Sequence, residues 1–365
     1  LTTNFLRAIL KKGKQGRKIC LSGESLPDRQ GEEKMEDKEF TAFVVRENNG
    51  AWEGTRETRK ISELPPGQVL IRVSYSSVNY KDALSASGNR GVTRHYPHTP
   101  GIDAAGIVEE SGSDRFHAGD EVIVTGYDLG MNTDGGWGQY IRVPDSWPVR
   151  RPAGMTLRDA MIYGTAGFTA ALSVRKLIRY GIQPEDGQIL VTGATGGVGS
   201  LALSILHKLG YHTAAVTGKG AARDMLKHLG AEEVVLREDA VDETGKALLT
   251  PLWAAAVDTV GGAVLETALK TVRYGGCVTA CGNVAGYRLE TTVYPFILRG
   301  ISLLGIDSVQ CPMEEREELW QLLAGPWRPY TFAENTEEIT PETLPENIDR
   351  ILHGKVTGRI LVCME

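Results

Sequence analysis

Ile189-Leu190-Val191-Thr192-Gly193-Ala194-Thr195-Gly196-Gly197-Val198-Gly199 runs from a short apolar and β-branched stretch into a glycine-rich turn. Apolar residues then recur at helical spacing, at Val198, Leu201, Ala202, Ile205, Leu206 and Leu209, so the segment predicts strand, turn and amphipathic helix. Gly193, Gly196 and Gly199 form a GxxGxxG pattern: glycines permit the tight turn, let backbone N–H groups approach a phosphate, and allow close packing of helix on strand. The candidate anion-binding turn is therefore Gly193, Thr195, Gly196, Gly197, Val198 and Gly199. Taken alone, such a cluster fits an ordinary strand-to-helix turn equally well, and its surroundings decide. A second strand, Thr213–Thr217, arrives where a dinucleotide-binding fold places one, and the residue at its end should face the adenosine ribose. A carboxylate there would accept hydrogen bonds from a 2′-hydroxyl. Here the strand ends in Thr217-Gly218-Lys219, a hydroxyl and an ammonium that suit a 2′-phosphate, so the expected cofactor is NADPH. The competing reading of Lys219 is a solvated surface lysine.

Working outward, residues after Pro152 alternate strands with amphipathic helices, which indicates a parallel sheet covered on both faces. The expected strands are Ile189–Thr192, Thr213–Thr217, Glu233–Leu236, Ala255–Asp258, Cys277–Cys281 and Ser302–Ile306. Six strands with intervening helices predict a doubly wound α/β Rossmann sheet. Before Pro152 the chain reads as β-rich, with strands at Phe40–Val45, Gln68–Tyr75, Gly106–Glu110, Glu121–Thr125 and Tyr140–Val143 separated by Gly, Pro and Asn. The last segment carries a charged helix near Glu314–Leu323, a polar loop with Pro341 and Pro345, and a closing strand Arg359–Cys363.

The chain has 365 residues, 41% of them hydrophobic, enough for a large core and for two domains. With 40 basic against 46 acidic residues the formal charge is −6, so no overall positive field exists to hold nucleic acid or an anionic membrane. Five scattered cysteines never form CxxC, which argues against a disulfide framework and a structural zinc knuckle and suits a reducing cytoplasm. No apolar run approaches the roughly 20 residues needed to span a bilayer. Leu1–Lys34 is basic early, polar later and lacks a proper hydrophobic signal core; it is expected to be a non-native or disordered leader, with Met35 opening the folded part.

Three further segments lie where ligands gather in open α/β sheets. Asp258-Thr259-Val260-Gly261-Gly262 and Cys281-Gly282-Asn283 follow predicted strands. Gly164-Thr165-Ala166-Gly167 opens a helix with small residues, which fits either a close ligand or close helix packing. Cys277 and Cys281 read as small core residues rather than redox thiols.

These features, together with Asn79-Tyr80-Lys81-Asp82, Pro100-Gly101-Ile102-Asp103-Ala104-Ala105-Gly106 and Gly119-Asp120-Glu121-Val122, make residues 35–365 resemble the quinone-oxidoreductase-like branch of the medium-chain dehydrogenases/reductases. Within that branch the likeness is to the NADPH-dependent acrylyl-CoA reductases, marked by Ile162–Ala170 and Thr291–Arg299. The resemblance implies a GroES-like β-rich catalytic domain in two parts, 35–160 and 309–365, interrupted by a Rossmann NADP-binding domain, 161–308. It implies an active site in the cleft between them and homodimers formed through the edge strand Ser302–Ile306. It also implies cofactor contacts at Tyr80, Thr165, Gly196 to Val198, Thr217, Lys219, Cys281 and Asn283; the residue reading adds Gly193, Thr195, Gly199, Gly218 and Asp258.

The zinc alcohol dehydrogenases carry a Cys before the region of Asn79 and a His-Glu pair after the glycine at Gly101. This chain has Ser77 and Ile102-Asp103 there and lacks the four-cysteine lobe, so no metal site is expected. With no Lewis acid to polarise an alcohol oxygen, reduction of an activated C=C bond is the expected reaction: hydride delivered to the β-carbon of a short enoyl-CoA such as acryloyl-CoA. The candidate catalytic residues are Tyr80, as proton donor or nicotinamide cover, Asn79, as donor to the thioester carbonyl, and Asp82, as an orienting group. Structural roles for all three stay open. Arg359 is expected to reach the cofactor or the CoA phosphates or to form a surface ion pair, and Tyr127 and Trp137 to line the substrate mouth or cover the core. Two rivals remain, quinone or enone reduction with the same cofactor, and a non-catalytic NADPH-binding protein.

Overall fold

The computed structural model describes residues 37–329 and 332–365; the expected leader lies outside them. The chain first forms the hairpin β1 (Glu39–Asn48) and β2 (Ala51–Lys60), then β3 (Val69–Val78), α1 (Tyr80–Ala86), β4 (Asp103–Ser111), β5 (Glu121–Thr125), β6 (Tyr140–Val143) and β7 (Val149–Arg150). The long helix α2 (Leu157–Tyr180) leads into β8 (Ile189–Val191), α3 (Gly197–Lys208), β9 (Thr213–Thr217), α4 (Arg223–His228), β10 (Glu233–Leu236), β11 (Trp253–Asp258), α5 (Gly262–Thr271), β12 (Val272–Ala280), α6 (Tyr294–Arg299) and β13 (Ser302–Gly305). The chain ends with α7 (Met313–Ala324), β14 (Thr336–Ile339), α8 (Leu344–Leu352) and β15 (Arg359–Cys363).

Strands β8 to β13 form one parallel six-stranded sheet in the order β10-β9-β8-β11-β12-β13. This is the doubly wound order, and it reverses between β8 and β11, where a crevice opens outside the carboxyl ends of the strands. The second sheet is mostly antiparallel, β14-β15-β3-β4-β5-β7 with β6 also on β3, so the last strand of the chain returns to pair with the first part of the β-rich half. The two sheets share α2, whose buried Ala160, Met161, Phe168 and Leu172 sit in one apolar cluster with Ala105 and Ile123 from the β-rich sheet and Val191 and Val257 from the parallel one.

Two elements depart from expectation. The polar stretch with Pro341 and Pro345 is not a loop throughout: Leu344–Leu352 is helical, with the proline in its first turn. Proline is tolerated there because the N–H it lacks would have no intrahelical partner. The hairpin strand β2 was not expected, because half of its residues are charged and most are exposed. Its signal lay in Asn49-Gly50, which both take positive φ (52° and 82°) as the tightest hairpin turns require.

Candidate active site

Helix α3 starts at Gly197 behind the N-cap Gly196, which has no side chain to cap it. The first-turn N–H groups therefore face the crevice at the positive end of the helix dipole, a site made for an anion. Close packing of turn on helix requires Gly199: a Cβ there would lie 2.5 Å from the Gly193 carbonyl oxygen. Thr195 Oγ1 and Thr217 Oγ1 stand 3.3 Å apart and join this turn to the end of β9.

The end of β9 holds more positive charge than the sequence reading found. Lys219 donates to Val356 O at 2.5 Å and to Thr357 Oγ1 at 3.2 Å, which fixes it against the loop before β15. Burial, and then the nearby Arg237 guanidinium, push its pKa down. Arg237, just past β10, lies over Gly218 so closely that a Cβ on Gly218 would sit 1.8 Å from Nη2. Two cations thus converge beside Thr217. Nothing in the local sequence marks Arg237, which follows the end of β10.

A second cluster lies under Asn79, and its hub is Asp103, which the sequence reading treated only as a replaced zinc-ligand position. Asp103 is fully buried. It accepts hydrogen bonds from Ser77 Oγ (2.6 Å), Asn79 Nδ2 (2.9 Å), the Thr165 N–H (2.9 Å) and Thr165 Oγ1 (2.5 Å). The Thr165 bonds exist because α2 breaks at Gly164, whose φ of 49° and ψ of −153° interrupt the helix. The helix restarts at Thr165, so a carboxylate from β4 caps it in place of a local N-cap. The break also frees the Ile162 carbonyl, which accepts from Arg359 Nε at 2.9 Å.

Arg359 is buried, not a surface residue. Its Nη1 donates to Asn79 Oδ1 at 3.1 Å, and its Nη2 lies 3.9 Å from Asp103 Oδ2 without a hydrogen-bond partner. It also borders the glycine turn, since a Cβ on Gly197 would sit 3.1 Å from Nη1. An orphaned buried N–H beside a phosphate-type turn fits an anionic ligand between them.

Asp82 is the other buried carboxyl. It accepts from the Ile102 N–H at 2.7 Å and the Asn79 N–H at 2.8 Å. Burial first, and the Asp103 charge second, push its pKa up to about 7. Asn79 is saturated by this network on both ends of its amide, so it orients its neighbours. Tyr80, half-buried beside them, has a hydroxyl without a partner.

Cys281 and Asn283 open onto a cleft of about 830 Å³ that also touches Lys81, Leu172 and Lys176. Asp258 sits behind it, fully buried, its oxygens accepting from Thr192 Oγ1 (2.7 Å) and the Gly261 N–H (2.8 Å). Burial raises the Cys277 and Cys281 thiols to about 12, but only Cys277 is a core residue as expected; Cys281 is partly exposed at the cleft. Trp137 is fully buried with Nε1 bonded to Ser77 O, and Tyr127 stacks on Trp147, so both pack the β-rich half rather than line this cleft.

The alcohol dehydrogenase GroES-like domain family matches residues 65–153, and the zinc-binding dehydrogenase family matches residues 197–325. The chain belongs to the medium-chain dehydrogenase/reductase superfamily, in its quinone-oxidoreductase-like branch. It is 48% identical to the putative quinone oxidoreductase YhfP of Bacillus subtilis, over 84% of this chain and 93% of that protein. It is 44% identical to the probable acrylyl-CoA reductase AcuI of Escherichia coli, over 88% of this chain and 98% of that one. The solved structure of the yhdH oxidoreductase from Salmonella enterica in complex with NADP superposes with a TM-score of 0.87 at 45% identity, covering 89% of this chain and all of that one. The structure of yhfP from Bacillus subtilis, which has NAD bound, gives 0.87 at 46% identity over 89% and 99% of the two chains.

A zinc ion does not fit the residues present. Among the described residues no group of three or more His, Cys, Asp or Glu side chains could hold a metal, and Ser77 and Ile102 offer no strong donor beside Asp103.

Proposed function

We propose that the protein is a zinc-independent reductase that uses NADPH to saturate the C=C bond of acryloyl-CoA, or a closely related short enoyl-CoA, giving propanoyl-CoA. The observation that carries the reading is one continuous site: an uncapped helix start, the cation pair Lys219 and Arg237, and a donor cluster without metal ligands. Relatives named as acrylyl-CoA reductases, 44% and 43% identical and matched over 98% of their lengths, support the substrate.

NADPH, when bound, supplies the hydride. The α3 N-terminus at Gly196, Gly197 and Val198, with Thr195 and Arg359 alongside, would hold its pyrophosphate, and Thr217, Lys219 and Arg237 its 2′-phosphate. Cys281 and Asn283 would meet the nicotinamide end, and Asp258 keeps the crevice walls in place. Tyr80 is the catalytic residue: its unpartnered hydroxyl donates to the thioester oxygen, where charge develops, or to the α-carbon. Asn79, Asp82 and Asp103 are positioning residues that fix the Tyr80 turn and the restarted half of α2.

We further infer a homodimer. Strand β13 ends the parallel sheet with one side unpaired, and Leu303, Tyr294, Ile297 and Leu298 expose apolar surface next to it. No helix of the described residues is long and apolar enough to cross a membrane, and a cytoplasmic location is consistent with the unpaired cysteines. The domain limits are inferred to fall at 160/161 and 308/309.

The test is NADPH oxidation against acryloyl-CoA, crotonyl-CoA, a quinone and a simple enone. Acryloyl-CoA should give the highest kcat/KM, and chelators should leave the rate unchanged. Turnover of quinones alone would establish the other reading, to which the likeness to the putative quinone oxidoreductase YhfP points. Tight NADPH binding with no acceptor reduced would establish a non-catalytic binder.

A further inference from the structure

The 830 Å³ cleft continues past Cys281 and Asn283, between Lys81 on α1 and Lys176 on α2, toward the residues that follow β13. Its fixed charges are unequal in how far they are satisfied. Asp307 Oδ1 accepts the N–H groups of Val309 (2.8 Å) and Gln310 (3.3 Å). Glu315 Oε1 is paired with Arg179 at 2.6 Å and Arg175 at 3.3 Å. Glu315 is therefore countered by two guanidinium groups, whereas Asp307 engages only backbone N–H groups and keeps its charge. Lys176 uses one of its three donors, on Gly305 O at 2.6 Å, and Lys81 has no partner at all. Two ammonium groups thus stand against the one uncountered carboxylate of Asp307, and the cleft keeps a net positive charge.

A neutral quinone or enone has no use for two ammonium groups with free donors. An acyl thioester carried on phosphopantetheine does, because its apolar arm ends in phosphates and needs a long open channel. We propose that Lys81 and Lys176 hold the phosphate groups of the CoA substrate, with the arm lying along Leu172 and the thioester at the Asn283 end. The inference rests on the reductase reading above and assigns specificity for the carrier to these two side chains. Lys81 is placed for this by its neighbour: Tyr80 opens α1, so one helical turn carries both the proton donor and a ligand for the tail.

The experiment compares Lys81→Ala, Lys176→Ala and the double variant on acryloyl-CoA, acryloyl-pantetheine 4′-phosphate, acryloyl-pantetheine and methyl vinyl ketone. Each single change should raise KM for acryloyl-CoA roughly tenfold with kcat nearly kept, as the loss of one charge-assisted hydrogen bond implies. KM for acryloyl-pantetheine and methyl vinyl ketone should not move, and Lys81→Arg should restore most of the loss. The 4′-phosphate substrate shows whether the diphosphate or the distal 3′-phosphate is gripped. Equal losses on substrates with and without phosphate, or no loss on any, overturn the proposal. Titration of free CoA into the wild-type protein and the double variant separates the two readings. CoA binding that both lysines support, without turnover of any thioester, would retain the subsite and remove the reductase. Turnover of acryloyl-CoA with lysine-independent binding would do the reverse.

Discussion

The glycine turn and the Asp103 cluster are neighbours in space and opposites in construction. The turn is contiguous, residues 193 to 199, and what it offers is backbone N–H groups at the uncapped start of α3. The cluster draws Ser77 from β3, Asn79 and Asp82 from α1 and the loop before it, Asp103 from β4, Thr165 from α2 and Arg359 from β15. A backbone site needs particular glycines at particular intervals, which a sequence displays. A side-chain site assembled across some 280 positions needs a fold before its members can be seen as one. This explains how Asp103 stands out in the sequence only as a missing zinc ligand, while the strand, glycine turn and helix of residues 189 to 208 are legible in it.

The largest effect that distinguishes the two regions is predicted for pH. Asp82 has its pKa raised from 3.8 to about 7, so the folded protein binds a proton there that the unfolded chain has released. Stability from this group is fully present below about pH 4, is lost as pH rises toward 7, and is constant above, a span of about 4 kcal/mol for a shift of this size. Asp82→Asn should therefore gain stability relative to wild type between pH 4 and 8 in urea unfolding. A constant difference across that range would show that the Asp82 carboxyl ionises normally and that the cluster is less buried in effect than in geometry.

Next in size is the cofactor end. Removing both Lys219 and Arg237 by alanine should weaken NADPH by at least roughly 10²-fold, because each charged hydrogen bond contributes about 1.5 kcal/mol or more. NADH affinity should hardly change. Equal weakening of both cofactors would mean that the two cations support the loop at Val356 and Thr357 rather than a phosphate, and the end of β9 would then belong with the structural clusters.

Asp103→Asn should cost about 3 kcal/mol in unfolding free energy, since it leaves the buried Arg359 without its counter-charge. The restarted half of α2 loses the charge of its cap in the same step. A loss confined to activity, with stability intact, would make Asp103 part of the reacting centre instead of its support.

The same contrast decides how much of the molecule was legible. Strands β5, β6, β9, β10 and β15 match their expected limits, because β-branched runs bounded by Gly, Pro or charged residues state their own ends. Helix α8 was hidden by its prolines, and β2 by a solvent-facing composition that only the Asn49-Gly50 turn betrays. Arg237 was invisible for a different reason: nothing local marks it, and only the pairing of β10 with β9 brings it over Gly218. Fold was readable where periodicity and turns are local, and the site where its chemistry is carried by the backbone.

A single methyl group offers the finest test of that distinction. Gly199→Ala would press its Cβ to 2.5 Å from the Gly193 oxygen and 2.9 Å from the Ala194 Cα, both backbone atoms that no rotamer change can clear. Helix α3 must lift from the turn, at a cost of about 2 kcal/mol in stability. Because the same shift moves the N–H groups of Gly197 and Val198, NADPH affinity should fall with it. Gly196→Ala provides the control: its Cβ would meet the Gly193 oxygen at 3.3 Å, with φ at −82°, a conformation any residue adopts. The stability loss there should be well under half that of Gly199→Ala by thermal and urea unfolding. If the two variants proved alike, the turn would tolerate substitution through general looseness, and position-specific backbone packing would not be what the glycine pattern encodes.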